Sequence, residues 1–244
     1  MTGASMDGKR AVVTGGSRGI GRAIAEALAA AGAHVVVSSR SAEACAAVAR
    51  AIGGDAVACD VANLGQVDAL FERVADLGGC DVFVSAAGLA SSAPAAQVPA
   101  SELRRMMDLH FVGATRGAQC AAAQMRARGG GAVLFVTSVW GLGGQPSTLA
   151  YGAAKAALAH AVKVLAVEWA RDGIRVNGLA PGFVDTDMTA GLPGPLRDKL
   201  LSRVPLRRAA RPEEMAGPAL FLCSDAASYV TGHVLVADGG ERAR

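Results

Sequence analysis

The chain has 244 residues, enough for one large α/β domain that buries about three quarters of the surface its unfolded form exposes. Its formal charge of +3 comes from arginines spread along the chain, which excludes the concentrated basic stripe of a nucleic-acid binder. Five scattered cysteines without a C-x-x-C pair exclude a disulfide framework and a zinc site; with no signal-like start and no run of about eighteen apolar residues, a cytoplasmic location without membrane contact is expected.

The first β-branched run, at 10–14, leads into Thr14-Gly15-Gly16-Ser17-Arg18-Gly19-Ile20-Gly21 and then into an alanine-rich stretch at 19–31 that predicts a helix closed by Gly32 at C′. A glycine loop between a strand and a helix lets backbone N–H groups and the helix dipole hold a pyrophosphate, because a Cβ would block the turn and the approach of phosphate oxygens. The second strand, 35–39, ends in Ser38-Ser39-Arg40, with no acidic residue to accept from a ribose 2′-hydroxyl. Arg40, with Arg18 from the glycine loop, can clamp a 2′-phosphate instead, which selects NADP(H); two solvated surface arginines are the other reading.

Further on, helices are predicted at 41–51, 65–77, 101–127, 148–171 and 212–223, alternating with strands at 55–59, 81–85, 132–137, 174–180 and 233–237. Seven strands separated by helices predict an α/β fold: a single-domain, doubly wound (Rossmann) seven-stranded parallel sheet with helices on both faces. The segment 185–211 carries Gly191, Pro193, Gly194, Pro195 and Pro205 and reads as irregular, either a substrate lid or a disordered insertion.

Ser138 closes the fifth strand, at the sheet edge where such folds bind ligands, and the next helix carries Tyr151 and Lys155 on one face. Only two tyrosines and four lysines occur, so a chance expectation for this spacing is about 0.03 pairs. A phenol needs help to transfer protons at neutral pH. A neighbouring ammonium that lowers its pKa by about three units must contribute roughly 4 kcal/mol, and Lys155 is placed to do so. Ser138 can hold a carbonyl oxygen while Tyr151 supplies the proton; alone it would read as a helix cap. The isolated histidines His34, His160 and His233 suggest no metal site.

Together these residues resemble the short-chain dehydrogenase/reductase family from Lys9 to about Gly240, through the glycine loop, Ser138, Tyr151-x3-Lys155 and Pro181-Gly182. The segment 181–188 and the tail 229–240 are most similar to 3-oxoacyl-acyl-carrier-protein reductases. The resemblance implies that Asp60 and Val61 hold the adenine, that Ala87 and Gly88 line the cofactor cleft, and that Pro181, Gly182, Val184 and Thr186 touch the nicotinamide end. It also implies a homotetramer assembled through the helices at 101–127 and 148–171 and through the C-terminal strand.

Two positions depart from the family pattern. Ser85-Ala86-Ala87-Gly88 replaces Asn-Asn-Ala-Gly, which removes amides that brace the sheet and cleft. His110 replaces an Asn that bends the helix and holds a water linking the Lys to solvent. His110 either holds such a water and adds a group titrating near physiological pH, or is buried, hydrogen-bonded and only packs. The implied activity is hydride transfer between NADP(H) and a small carbonyl or secondary alcohol substrate. The alternatives are an NAD-dependent alcohol dehydrogenase and a non-catalytic dinucleotide-binding protein. Trp140, Gln145 and Met188 are expected around the substrate, with Leu142, Leu192 and Leu196 either lining an apolar pocket or packing the core. Arg126, Arg128 and Arg171 either meet an acyl carrier protein or are scattered surface charges.

Overall fold

A computed structural model describes residues 4–243. The strands β1 (Arg10–Thr14), β2 (His34–Ser39), β3 (Asp55–Ala58), β4 (Val82–Ser85), β5 (Gly131–Val136), β6 (Ile174–Pro181) and β7 (Val234–Ala237) form one parallel sheet in the order β3-β2-β1-β4-β5-β6-β7. The order reverses between β1 and β4. There the loops after the two strands diverge to opposite faces and leave a crevice at the C-terminal edge.

Alternation along β1 shows how the two faces are covered. Ala11 and Val13 join a core with Ile24, Leu28, Val35, Val37 and Leu222, whereas Val12 joins the opposite core with Phe71, Phe83, Phe135 and Trp169. The first core is roofed by α1 (Gly19–Ala30), α2 (Ala42–Ile52) and α9 (Ala216–Cys223). The second is roofed by α3 (Leu64–Asp76), α5 (Gly113–Ala127) and α6 (Leu149–Trp169).

Helix α6 with its 3-10 extension, Leu149–Asp172, is long and apolar enough to cross a bilayer by length and composition, although Lys155, His160, Lys163 and Glu168 interrupt its apolar run. Here it is a core helix, with Leu158, Val162, Ala166 and Trp169 buried against the sheet.

The helix expected at 101–127 is broken. Helix α4 (Ala100–Met107) gives way to a π turn at Asp108–Val112 before α5 resumes. At the end of that turn Gly113 lies so close to the loop after β3 that a Cβ would sit 2.0 Å from the Val61 carbonyl oxygen. The wide turn and the bare Cα together let the helix pass the loop.

The segment 185–211 is not irregular throughout. It holds α7 (Asp187–Ala190) and α8 (Gly194–Leu201), with Pro195 in the first helical turn, where its missing N–H costs nothing. A bridge between Val184 and Ala210 closes its two ends.

Candidate active site

The C-terminal ends of β1, β2, β4, β5 and β6 open onto one cleft of about 670 Å³. The residues expected to bind the cofactor or to move protons line it: Gly15, Ser17, Arg18, Gly19, Ile20, Gly21, Ser39, Arg40, Asp60, Val61, Ala87, Gly88, His110, Ser138, Tyr151, Lys155, Pro181, Gly182, Val184 and Thr186. The cleft has the volume and the backbone for a dinucleotide. Gly15 adopts φ +72°, and a Cβ there would lie 2.6 Å from the Ala87 Cα; at Gly21 it would lie 2.2 Å from the Gly15 carbonyl oxygen. The glycine loop packs against Ala86, which stands where an amide was expected, and against Ala87. The N-cap of α1, Arg18, makes no side-chain cap, so the helix presents bare N–H groups to the cleft.

At the far end, Ser39, Arg40 and Ser41 cluster after β2, and Arg40 has no carboxylate within ion-pair distance among the described residues. Arg18 does not join it. Its guanidinium lies 3.5 Å from Asp187 across the cleft mouth, with side chains 61% and 72% exposed, so the two-arginine clamp is not assembled here. Asp60 accepts from the Ala62 backbone N–H at 3.0 Å, the local role of a loop cap, while also lining the cleft.

Ser138 combines two roles. Its Oγ accepts from the Trp140 N–H at 3.2 Å and so caps a 3-10 turn, and its hydroxyl also hydrogen-bonds Tyr151. Lys155 is buried, 5% exposed, and its Nζ donates to the Val136 carbonyl at 2.7 Å while standing 5.8 Å from the Tyr151 ring centre.

The electrostatics reverse one sequence expectation. Burial pushes the Tyr151 phenol above its ordinary pKa, opposed only by the Ser138 hydrogen bond. Burial also pulls the Lys155 ammonium down to about 7. An ammonium that is itself desolvated and aimed at a backbone carbonyl does not acidify the phenol in this state.

His110 is 1% exposed, and its ring stands edge-on to Tyr151 with centres 5.2 Å apart. Nε2 lies 2.9 Å from the Leu89 carbonyl oxygen, which makes Nε2 the protonated nitrogen and leaves Nδ1 a buried acceptor without a protein partner among the described residues. Burial and nearby Lys155 hold its pKa down to about 3, so it does not titrate near physiological pH as one sequence reading had it. Between pH 6.5 and 3 the unfolded chain therefore binds a proton that the folded chain refuses, and stability falls with pH by up to about 1.4 kcal/mol per unit. Acid unfolding of His110→Asn, followed by circular dichroism, is expected to have its midpoint at lower pH than the parent; an unchanged midpoint would refute this.

Sequence reasoning missed Arg105, whose guanidinium grips Glu102 at 2.7 and 2.9 Å, and also Ser41, Leu89 and Asp187, all of which line the cleft. Only Ser41 carried a signal, as the N-cap of α2 accepting from the Ala44 N–H. Met188 reaches the cleft, but Trp140 and Gln145 line a separate cavity, and Leu142, Leu192 and Leu196 line neither. Arg126 pairs with Asp172 at 2.5 Å and Arg128 grips Asp81 through two hydrogen bonds, so neither is free for an acidic carrier.

Against this geometry, the comparisons with known proteins are consistent. A family model described as enoyl-(acyl carrier protein) reductase matches residues 15–241. Cis-4-hydroxycyclohexanecarboxylate dehydrogenase of Sinomonas cyclohexanicum is 43% identical over 94% of this chain and 95% of its own. The 3-oxoacyl-[acyl-carrier-protein] reductase of Synechocystis sp. is 39% identical over 94% and 95%. The crystal structure of a gluconate 5-dehydrogenase from Burkholderia cenocepacia, in complex with NADP and tartrate, superposes with a TM-score of 0.95 at 34% identity, covering 99% of this chain and 98% of the other. Sequence match, sheet order and cleft agree, and the chain belongs to the short-chain dehydrogenase/reductase family of nicotinamide-dependent oxidoreductases.

Proposed function

We propose that the protein reduces a carbonyl compound to a secondary alcohol with NADPH. The observation that carries this reading is the convergence of Ser138, Tyr151 and Lys155 at one end of a cleft whose other end presents Arg40, with no carboxylate in ion-pair distance of it among the described residues. When bound, the dinucleotide supplies the hydride. The glycine loop and the N-terminus of α1 hold the pyrophosphate, Asp60 and Val61 flank the adenine, and Pro181, Gly182, Val184 and Thr186 meet the nicotinamide end.

Ser138 holds the carbonyl oxygen, and Tyr151, protonated at neutral pH, gives its proton to the developing alkoxide. Lys155 binds the nicotinamide ribose. The open Nδ1 lone pair of His110 accepts from a water that links Lys155 to solvent, so the histidine takes over a relay role with a ring in place of an amide. The segment 185–211 forms the lid, latched at the cleft mouth by Asp187 and Arg18. One observation favours NAD(H) as a second reading: that latch occupies Arg18 and leaves Arg40 alone for a 2′-phosphate.

The test is loss of NADPH absorbance across a panel of ketones and aldehydes, with NADPH and NADH titrated separately at matched salt. No turnover with any carbonyl would refute the reading, and tighter NADH binding would transfer it to NAD(H).

The exposed apolar residues Val164 and Val167 on α6, and Val236 on the edge strand β7, support assembly into a homotetramer through these two faces. Sedimentation at about four chain masses is the expected result. Five free cysteines suit a reducing cytoplasm. Of the arginines considered for an acyl carrier protein only Arg171 has no side-chain ion pair or hydrogen bond among the described residues, and a free small molecule is the better-supported substrate.

A further inference from the structure

We propose that a second cavity beside the cleft is an anion subsite that takes the carboxylate of the substrate, so that the substrates are oxo acids and the matching hydroxy acids; this rests on the carbonyl-reduction reading above. The cavity has a volume of about 270 Å³ and is lined by Trp140, Gln145, Arg203, Glu241 and Arg242 with the Gly143–Gly144 turn. Among the described residues, two guanidiniums and one carboxylate line it. Neither Arg203 nor Arg242 has a carboxylate within ion-pair distance among the described residues.

The chain holds the Arg203 side chain and the backbone of Arg242 in place. Arg203, half-buried just beyond α8, donates from Nη1 to the Gln145 Oε1 at 2.6 Å, which fixes one edge of the guanidinium. The turn after β7 is pinned by Asp238, whose two carboxylate oxygens accept from the Gly240 and Arg242 N–H groups, each at 2.9 Å. Gly143 leaves room for the Arg242 head: a Cβ there would lie 2.2 Å from Nη1. A planar guanidinium fork matches a carboxylate, which accepts two parallel hydrogen bonds from it.

The cavity also has the right neighbour. Trp140, one of its walls, stands edge-on to Tyr151 with ring centres 6.1 Å apart. The same short turn holds the Ser138 hydroxyl, through the Trp140 N–H. An acid group several carbons from the carbonyl therefore reaches the arginines while the carbonyl oxygen lies against Ser138 and Tyr151. An apolar tail has nothing to gain from this cavity.

The test has an arm that needs no turnover. Titrating the full chain with heptanoate, which has no reactive carbonyl, is expected to change Trp140 fluorescence saturably, and methyl heptanoate is not. Arg203→Gln and Arg242→Gln are each expected to weaken heptanoate about tenfold or more. In the kinetic arm, 6-oxoheptanoate is expected to exceed 2-heptanone in kcat/KM, and each variant to lower that ratio by about tenfold. No saturable heptanoate signal, or equal kcat/KM for acid and neutral ketone with the ratio unmoved in both variants, overturns the subsite. Heptanoate binding with neither ketone reduced overturns the carbonyl-reduction reading and leaves the anion site standing.

Discussion

Tyr151→Phe is expected to lower turnover by about 10²- to 10⁴-fold while leaving NADPH affinity within about twofold of the parent, the size of effect that removal of a positioned general acid produces. The change deletes one hydroxyl. The ring contacts with His110 and Trp140 at 5.2 and 6.1 Å survive in phenylalanine, so the walls of the cleft stay in place. The separation of effects is the informative part: a purely structural tyrosine would lose binding and stability together.

Because burial raises the phenol's pKa, Tyr151 is protonated through and above neutral pH, the form that donates a proton. Reduction should accordingly hold its rate through neutral pH, whereas oxidation of the alcohol, which needs the phenolate, should rise with pH above it. Stopped-flow rates in both directions check the sign. A Phe variant with parental turnover, or oxidation that is fastest in acid, would remove Tyr151 from the mechanism.

The buried lysine adds a pH dependence of its own. Lys155 loses its proton near pH 7 when folded and near 10.5 when unfolded, so across that window the unfolded chain binds more protons and stability rises with pH. The site is tuned for ligands rather than for the stability of the empty fold at low pH. An ammonium forced into a dry cleft regains favourable partners when ribose hydroxyls arrive beside it.

Legibility in the sequence followed how local each signal was. The glycine loop could be read because strand, turn and helix lie within a dozen residues and demand glycine at Gly15 and Gly21 for steric reasons that any such turn imposes. The π turn at Asp108–Val112 could not be read from its residues, because Asp-Leu-His-Phe-Val contains no breaker; only the resemblance implied a bend there. Its cause is the approach of Gly113 to the Val61 carbonyl, a contact between segments some fifty residues apart. Pro195 misled for the opposite reason, since proline both interrupts helices and starts them, and only the fold of the segment 185–211 decides which. The roles of Arg126 and Arg128 were equally hidden, because their partners Asp172 and Asp81 lie 46 and 47 positions away. The second cavity escaped for the same reason, being assembled from the Ser138–Gln145 turn, the end of α8 and the C-terminal tail.

Arg40→Asp is expected to weaken NADPH by about 100-fold and to leave NADH unchanged or bound more tightly. One charge-assisted hydrogen bond to a phosphate is worth roughly 1.5 to 3 kcal/mol, or about 10- to 150-fold, and the new carboxylate adds repulsion where the arginine gave attraction. The same carboxylate can accept from the 2′-hydroxyl of NADH, which offsets any loss on that side. Arg40 is exposed and has no ion-pair partner among the described residues, so the exchange should not disturb the fold. Arg18→Ala should cost much less, since its guanidinium is already turned to Asp187 across the mouth of the cleft. Affinities measured at two salt concentrations add a second check, because the preference for NADPH proposed for the parent should shrink as salt screens the exposed charge while the variant's preference should change little. Equal loss of both dinucleotides would mean that Arg40 supports the adenine end generally and does not read the phosphate.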